Sequence, residues 1–215
     1  SGEPKYLNSP ETPLFHKGRE LYGLYEARRA ERTLERVLVV EGYMDVVMLA
    51  AHGIHNAVGT LGTATTVEHL RRLFDVTGEI VFCFDGDRAG RDAAWRALQT
   101  SLPLLQDGRQ IRFLLLPDNE DPDSLVRREG AEAFTRRIGT SMPLSGFMLD
   151  SLTRDLNLDN LADKARLAAL AKPLLLQLPA GVYRELLTEE LARRVGLPRN
   201  RLEALMTGGS PQTPA

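Results

Sequence analysis

The sequence predicts an α/β region built on a parallel sheet, followed by a C-terminal α-helical bundle. Three observations carry that prediction. Four short apolar runs, at 37–41, 56–58, 80–84 and 111–116, alternate with segments of helical periodicity. The runs are rich in β-branched and aromatic residues, as strands buried on both faces are. After Pro117 such runs stop, and residues 122–207 show apolar repeats at helical spacing broken near Gly139, Pro143, Pro179 and Pro198.

Residues 1–13 hold three prolines and are expected to be extended and irregular. A helix is expected from Phe15 to about Arg32, with Leu21, Leu24 and Tyr25 on one face. Strand 37–41 leads to a helix opened by Asp45 and ended at Gly53. Strand 56–58 and the turn Gly59-Thr60-Leu61-Gly62-Thr63-Ala64 lead to a helix at about 66–74. Strand 80–84 is followed by a helix over about 88–104, and strand 111–116 closes the series. Alternation of this kind implies parallel pairing with right-handed crossovers. The repeats after residue 122 predict four or five helices.

The composition excludes several classes. A hydrophobic content of 43% and a charged content of 26% describe an ordinary globular protein. No apolar run approaches the ~20 residues that cross a bilayer, and no signal segment opens the chain. The one cysteine, Cys83, allows neither an internal disulfide nor a cysteine-cluster zinc site. It falls mid-strand, as a small core residue would. A cytoplasmic setting fits. The net charge of −2 means that any contact with a polyanion must come from a local basic patch. Two of the four lysines, Lys5 and Lys17, fall in the first 20 residues. The opening Ser1-Gly2, with no methionine, is expected to mark a fragment.

The chemistry concentrates at strand ends. Val37–Val40 runs straight into Glu41-Gly42, and Ile80–Phe84 into Asp85-Gly86-Asp87. Open α/β sheets bind ligands at the carboxyl ends of their strands. Glu41, Asp85 and Asp87 are therefore expected to converge on one crevice, with Asp45 about one helical turn further along. Two like charges about 4 Å apart repel by roughly 4 kcal/mol at an effective dielectric near 20, so such a cluster calls for a cation. Oxygen-only ligands favour Mg²⁺ or Mn²⁺ over zinc. Asp-Gly alone is also a common turn, but the turn reading leaves the matching Glu-Gly after another buried strand unexplained. Gly86 is expected to permit a tight turn and the close approach of a phosphate. The Gly59–Ala64 turn could offer backbone N–H groups to a phosphate, or could be a glycine turn with a capping threonine. His52 and His55 are expected to be non-catalytic. Leu191–Arg199 followed by Leu202 and Leu205 has helix-turn-helix rhythm, and a plain helical hairpin is the simpler reading.

A Glu-Gly strand end followed by an Asp-x-Asp strand end resembles the Toprim fold of primases, topoisomerases and related nucleases. Phe82–Arg91, Pro4–Thr12 and Phe15–Gly18 narrow the resemblance to the bacterial DnaG-type primase family. The resemblance implies a Toprim domain over 37–140, preceded by a basic arm and helix of the polymerase core over 1–36. It is followed by a helical subdomain over 141–207 and a disordered tail over 208–215. It implies template-directed synthesis of RNA primers on single-stranded DNA from ribonucleoside triphosphates, with the fragment alone weak or inactive. Glu41, Asp85 and Asp87 would be catalytic and, with Asp45, Asp121 and Asp123, would hold two or more Mg²⁺ or Mn²⁺ ions. Asp118 and Glu120 are expected to be solvated. Lys5, Tyr6, Asn8 and Lys17 would engage nucleotide or template; Arg88 and Arg91, beside the Asp pair, are candidates for triphosphate or backbone contact. The family's zinc-binding domain and its helicase-binding domain are expected to lie outside this chain. Two other readings remain at this point: a nuclease using the same acids to direct water, and a non-enzymatic scaffold.

Overall fold

The fold was established from a computed structural model, which describes Thr12, residues 16–31 and residues 33–207. The expectations for Lys5, Tyr6, Asn8, Ser9, Phe15, the irregular opening and the 208–215 tail fall outside the described residues. The chain divides into two compact units. The first holds the described residues up to Ser101 together with Arg109–Pro143; the second holds Leu102–Gly108 and the described residues from Leu144 onward.

The first unit is a five-stranded sheet of order β2-β1-β3-β4-β5. Its strands are β1 (Val37–Val40), β2 (Ala57–Gly59), β3 (Glu79–Phe84), β4 (Gln110–Leu115) and β5 (Met142–Pro143). The first four pair in parallel, and β5 runs antiparallel against β4. Helices α1 (Leu24–Ala30), α2 (Tyr43–Ala51), α3 (Val67–Phe74), α4 (Arg88–Ser101), α5 (Pro122–Glu129) and α6 (Ala131–Gly139) complete the unit. Alternate strand residues point to opposite faces. On one face Leu38, Val40, Val81 and Cys83 form a buried cluster with Leu49 of α2, Leu125 and Val126 of α5, and Phe134 and Ile138 of α6. On the other, Phe82 stacks on Phe84 and Phe113. The sheet is buried on both faces, which is why its strands carry no polar alternation.

Three expectations change, the first being the count of helices after residue 122: four or five were expected, and the described residues hold six, because the segment before Gly139 breaks at Gly130 into two short helices. The helix over 15–32 is restricted to Leu24–Ala30. Gly23 adopts φ 81°, a left-handed conformation that stops a helix, and Tyr22 exchanges two 3.0 Å backbone hydrogen bonds with Gly59. Strands also continue past Pro117, because the two-residue β5 adds to the sheet edge. Arg112 of β4 anchors it by donating from Nε to Ser141 Oγ at 3.0 Å.

The second unit contains a 3₁₀ turn (Leu102–Leu104) and helices α7 (Leu144–Thr153), α8 (Leu161–Leu175), α9 (Val182–Val195) and α10 (Arg199–Thr207). Phe147, Met148, Leu167, Leu175, Leu191 and Leu202 are among its buried residues. The excursion at 102–108 belongs here because Asp107 accepts hydrogen bonds from the first two amides of α9, Val182 at 3.0 Å and Tyr183 at 2.9 Å. Gly196, at φ 73°, ends α9 and allows the turn into α10. None of the described helices is long and apolar enough to cross a membrane.

Candidate active site

The strand order fixes where the acids meet. The chain leaves β1 for β2 on one side and leaves β3 for β4 on the other, so the switch point lies between β1 and β3. Ligands bind outside the carboxyl ends of the strands at such a point. Glu41 directly follows β1, and Asp85 directly follows β3. Val39 lies opposite Phe82, so the register sets Glu41 level with the end of β3.

Helix starts bring in the remaining acids. Asp45 is the third residue of α2 and accepts from the Gly42 N–H at 3.2 Å. Burial pushes its pKa up to about 6; the Gly42 bond opposes this, and the charges of Asp121, Asp85 and Asp123 add to it. Burial also raises the pKa of Glu41, helped by Asp85, Asp45 and Asp87 and opposed by Arg96. For Asp85 the causes are burial, then Asp121 and Asp87. All six expected acids therefore share one electrostatic field. Asp87 Oδ1 accepts from the Gly90 N–H at 2.7 Å and caps α4, while Asp121 Oδ1 accepts from the Ser124 N–H at 2.7 Å and caps α5. Asp123 Oδ1 lies 2.7 Å from Arg127 Nε, an ion pair one turn along α5.

The fit to a divalent cation follows from this donor set. Among the described residues, no three His, Cys, Asp or Glu side chains stand close enough to grip one ion. The expected convergence is thus a shared field and stops short of a closed cage. Mg²⁺ needs no such cage: it keeps several waters and is bound through one or two carboxylates plus substrate phosphates. Carboxylates whose ionisation is opposed by burial and by one another suit such an ion.

The neighbouring residues resolve several readings. Arg88 is exposed, whereas Arg91 pairs with Asp118 at 3.5 Å. Glu120, expected to be solvated, is held by Arg128 and by the Ser124 hydroxyl. A Cβ on Gly86 would lie 2.2 Å from the Leu116 carbonyl oxygen, and one on Gly90 2.2 Å from that of Asp85. Both glycines let backbone pack on backbone, which places the Asp85 turn against the end of β4. The Gly59–Ala64 turn is followed by an α3 whose first turn is capped by its own Thr66. His52 Nδ1 lies 2.9 Å from the Met48 carbonyl oxygen of its own helix end.

Two functional candidates carried no legible sequence signal. Arg96 of α4 and Glu41 line a cavity of about 200 Å³, walled also by Phe84, Thr60, Thr63 and Thr65. His69 is fully buried at the start of α3. A lone arginine or histidine inside a helix belongs to no motif.

Comparison with known proteins gives this arrangement a class: the family model described as a Toprim domain matches residues 35–115. The model for the N-terminal domain of the DNA primase catalytic core matches residues 1–28, and that for the DnaB-helicase binding domain of primase matches 145–200. The chain is 56% identical over 204 residues to the DNA primase of Escherichia coli K12 and 55% identical over 204 residues to that of Pseudomonas putida. Each alignment covers 94% of this chain, and 35% and 31% of those relatives respectively. A crystal structure of a DNA primase domain from Pseudomonas aeruginosa superposes with a TM-score of 0.91 at 54% identity, over 96% of this chain and 64% of that one. A DnaG primase catalytic domain bound to single-stranded DNA gives 0.88 at 54% identity, over 92% of this chain and 63% of that one. The chain belongs to the bacterial DnaG-type DNA primase family. It spans about a third of the length of the curated relatives it matches. The helicase-binding match corrects one expectation. That region was placed outside the chain, but the match falls on 145–200, where generic amphipathic helices offered no motif to read.

Proposed function

We propose that this chain supplies the metal-binding part of a primase that makes short RNA primers on single-stranded DNA. The observation that carries the proposal is the pair Glu41 and Asp85, at the ends of adjacent parallel strands across the switch point, in one field with Asp45, Asp87 and Asp121. Mg²⁺ or Mn²⁺ ions, when bound, supply Lewis-acid activation of the attacking 3′-hydroxyl and neutralise charge on the leaving phosphates. Glu41, Asp85 and Asp87 hold them. Asp45, Asp121 and Asp123 bind a further ion or orient its water. Phosphoryl transfer needs positioning and charge stabilisation, so no protein nucleophile is required.

Lys17 and Arg88 provide cations for the phosphates of nucleotide or template, and Lys5, Tyr6 and Asn8 extend that role into the opening segment. Arg91 joins them on releasing Asp118. The partners are the single-stranded template, ribonucleoside triphosphates and the RNA primer. The helical region at 145–200 meets the replicative helicase. The chain alone is weak or inactive, since it spans only about a third of the length of the curated relatives it matches. The test incubates the complete protein carrying this sequence with labelled single-stranded DNA, ribonucleotides and Mg²⁺. Template-dependent extension products support primer synthesis; cleavage without synthesis assigns the same acids to a nuclease instead.

A further inference from the structure

We propose that His69 is a positioning residue: it fixes the main chain of Lys17 against the start of α3 and so sets where that lysine meets phosphate. The inference rests on the role given to Lys17 above. His69 is fully buried, and both ring nitrogens are engaged. Nδ1 accepts from the Thr66 N–H at 3.3 Å, and Nε2 faces the Lys17 carbonyl oxygen at 2.8 Å. A carbonyl can only accept, so Nε2 carries the proton and the ring is the neutral Nε2–H tautomer.

The same helix face holds the rest of the segment. Thr66 Oγ1 accepts from the His69 N–H at 3.1 Å and donates to the Gly18 carbonyl at 2.6 Å. Arg72 donates to the Arg19 carbonyl and pairs with Glu20 at 3.0 Å. Residues 66, 69 and 72, spaced three apart on one stripe, thus grip four consecutive residues, 17–20. Thr66 also directly follows Thr65, which lines the cavity beside Glu41, so the latch ties the Lys17 backbone to the wall of the site.

Helix capping alone does not account for a histidine. The capping box ordinarily has Glu or Gln at this third position, where a carboxylate closes the box by accepting from the cap N–H. A carboxylate has no proton to donate to the Lys17 carbonyl. Histidine does both tasks at once.

The two tasks can be separated by substitution. Gln places a donor near Nε2 and keeps the Lys17 bond; Asn places an acceptor near Nδ1 and keeps only the helix cap. The measurement is ribonucleotide incorporation by the complete protein for His69→Gln, His69→Asn, Lys17→Ala and the double variant His69→Asn/Lys17→Ala. Hydrogen exchange over residues 16–22 is measured in parallel. His69→Asn is expected to raise the nucleotide KM or weaken DNA binding by about tenfold, the scale of a small misplacement, and to speed exchange in the segment. His69→Gln is expected to stay within about threefold of the parent on both readouts. The double variant should match Lys17→Ala, since residues acting as a unit are non-additive. Equal behaviour of Gln and Asn, or additive losses in the double variant, overturns the proposal. A parent that incorporates no nucleotide removes the primase reading and this proposal with it; an active parent with indifferent variants removes this proposal alone.

Discussion

A methyl group at Gly86 would press within 2.4 Å of two carbonyl oxygens, those of Leu116 and Pro117, neither of which can swing away as a side chain can. Gly86→Ala is therefore expected to destabilise the fold by about 1–3 kcal/mol, read as a lower urea midpoint at unchanged slope. The acids on either side behave differently. Asp85→Asn or Asp87→Asn keeps shape and removes charge, so circular dichroism should be unchanged while labelled-nucleotide incorporation falls by orders of magnitude. Retained synthesis in both variants would contradict the catalytic assignment. The strand-end position of Asp85 was legible because it directly follows a short β-branched and aromatic run of strand length. Gly86 was legible as a turn former, although the contact that requires it, the end of β4, lies some 30 residues away in sequence. Arg96 and His69 gain meaning only from what faces them across the fold.

Among the elements, the four parallel strands were visible as apolar runs because a doubly covered sheet leaves no polar face to obscure them. Helix α1 was overread: the apolar spacing before Gly23 is real, but those residues serve a turn and a bridge to β2. Strand β5, at two residues, is too short for any period to show. Helices α5 and α6 are joined by a link the sequence could not announce. Glu129 accepts from Arg137 Nε and Nη2 at 2.6 and 2.7 Å and from Arg128 Nη2 at 3.1 Å. The bonds from Arg137, then those from Arg128, bring its pKa down to about 2. A carboxylate lowered in the folded state contributes stability that is full above its unfolded pKa of about 4.3 and is lost as pH falls through the folded value. The melting-temperature difference between the parent and Glu129→Gln should therefore shrink as pH drops from about 4.3 to 2. A difference that does not change with pH would show that the ion pair adds nothing.

At the scale of the molecule, the acids belong to several elements of the first unit: the ends of β1 and β3 and the starts of α2, α4 and α5. Their mutual repulsion works against the fold, and a divalent cation held among them, as proposed, would reverse its sign. That is the central claim, and thermal melting of this chain with and without Mn²⁺ tests it most directly, in the parent and in Glu41→Gln/Asp85→Asn. A ligand bound only by the folded state adds about 2.7 kcal/mol at 100 times its dissociation constant. The account predicts a clear Mn²⁺-dependent rise in the parent, little or none in the variant, and a metal-free variant at least as stable as the metal-free parent. Parent and variant melting alike, with neither responding to Mn²⁺, would contradict it.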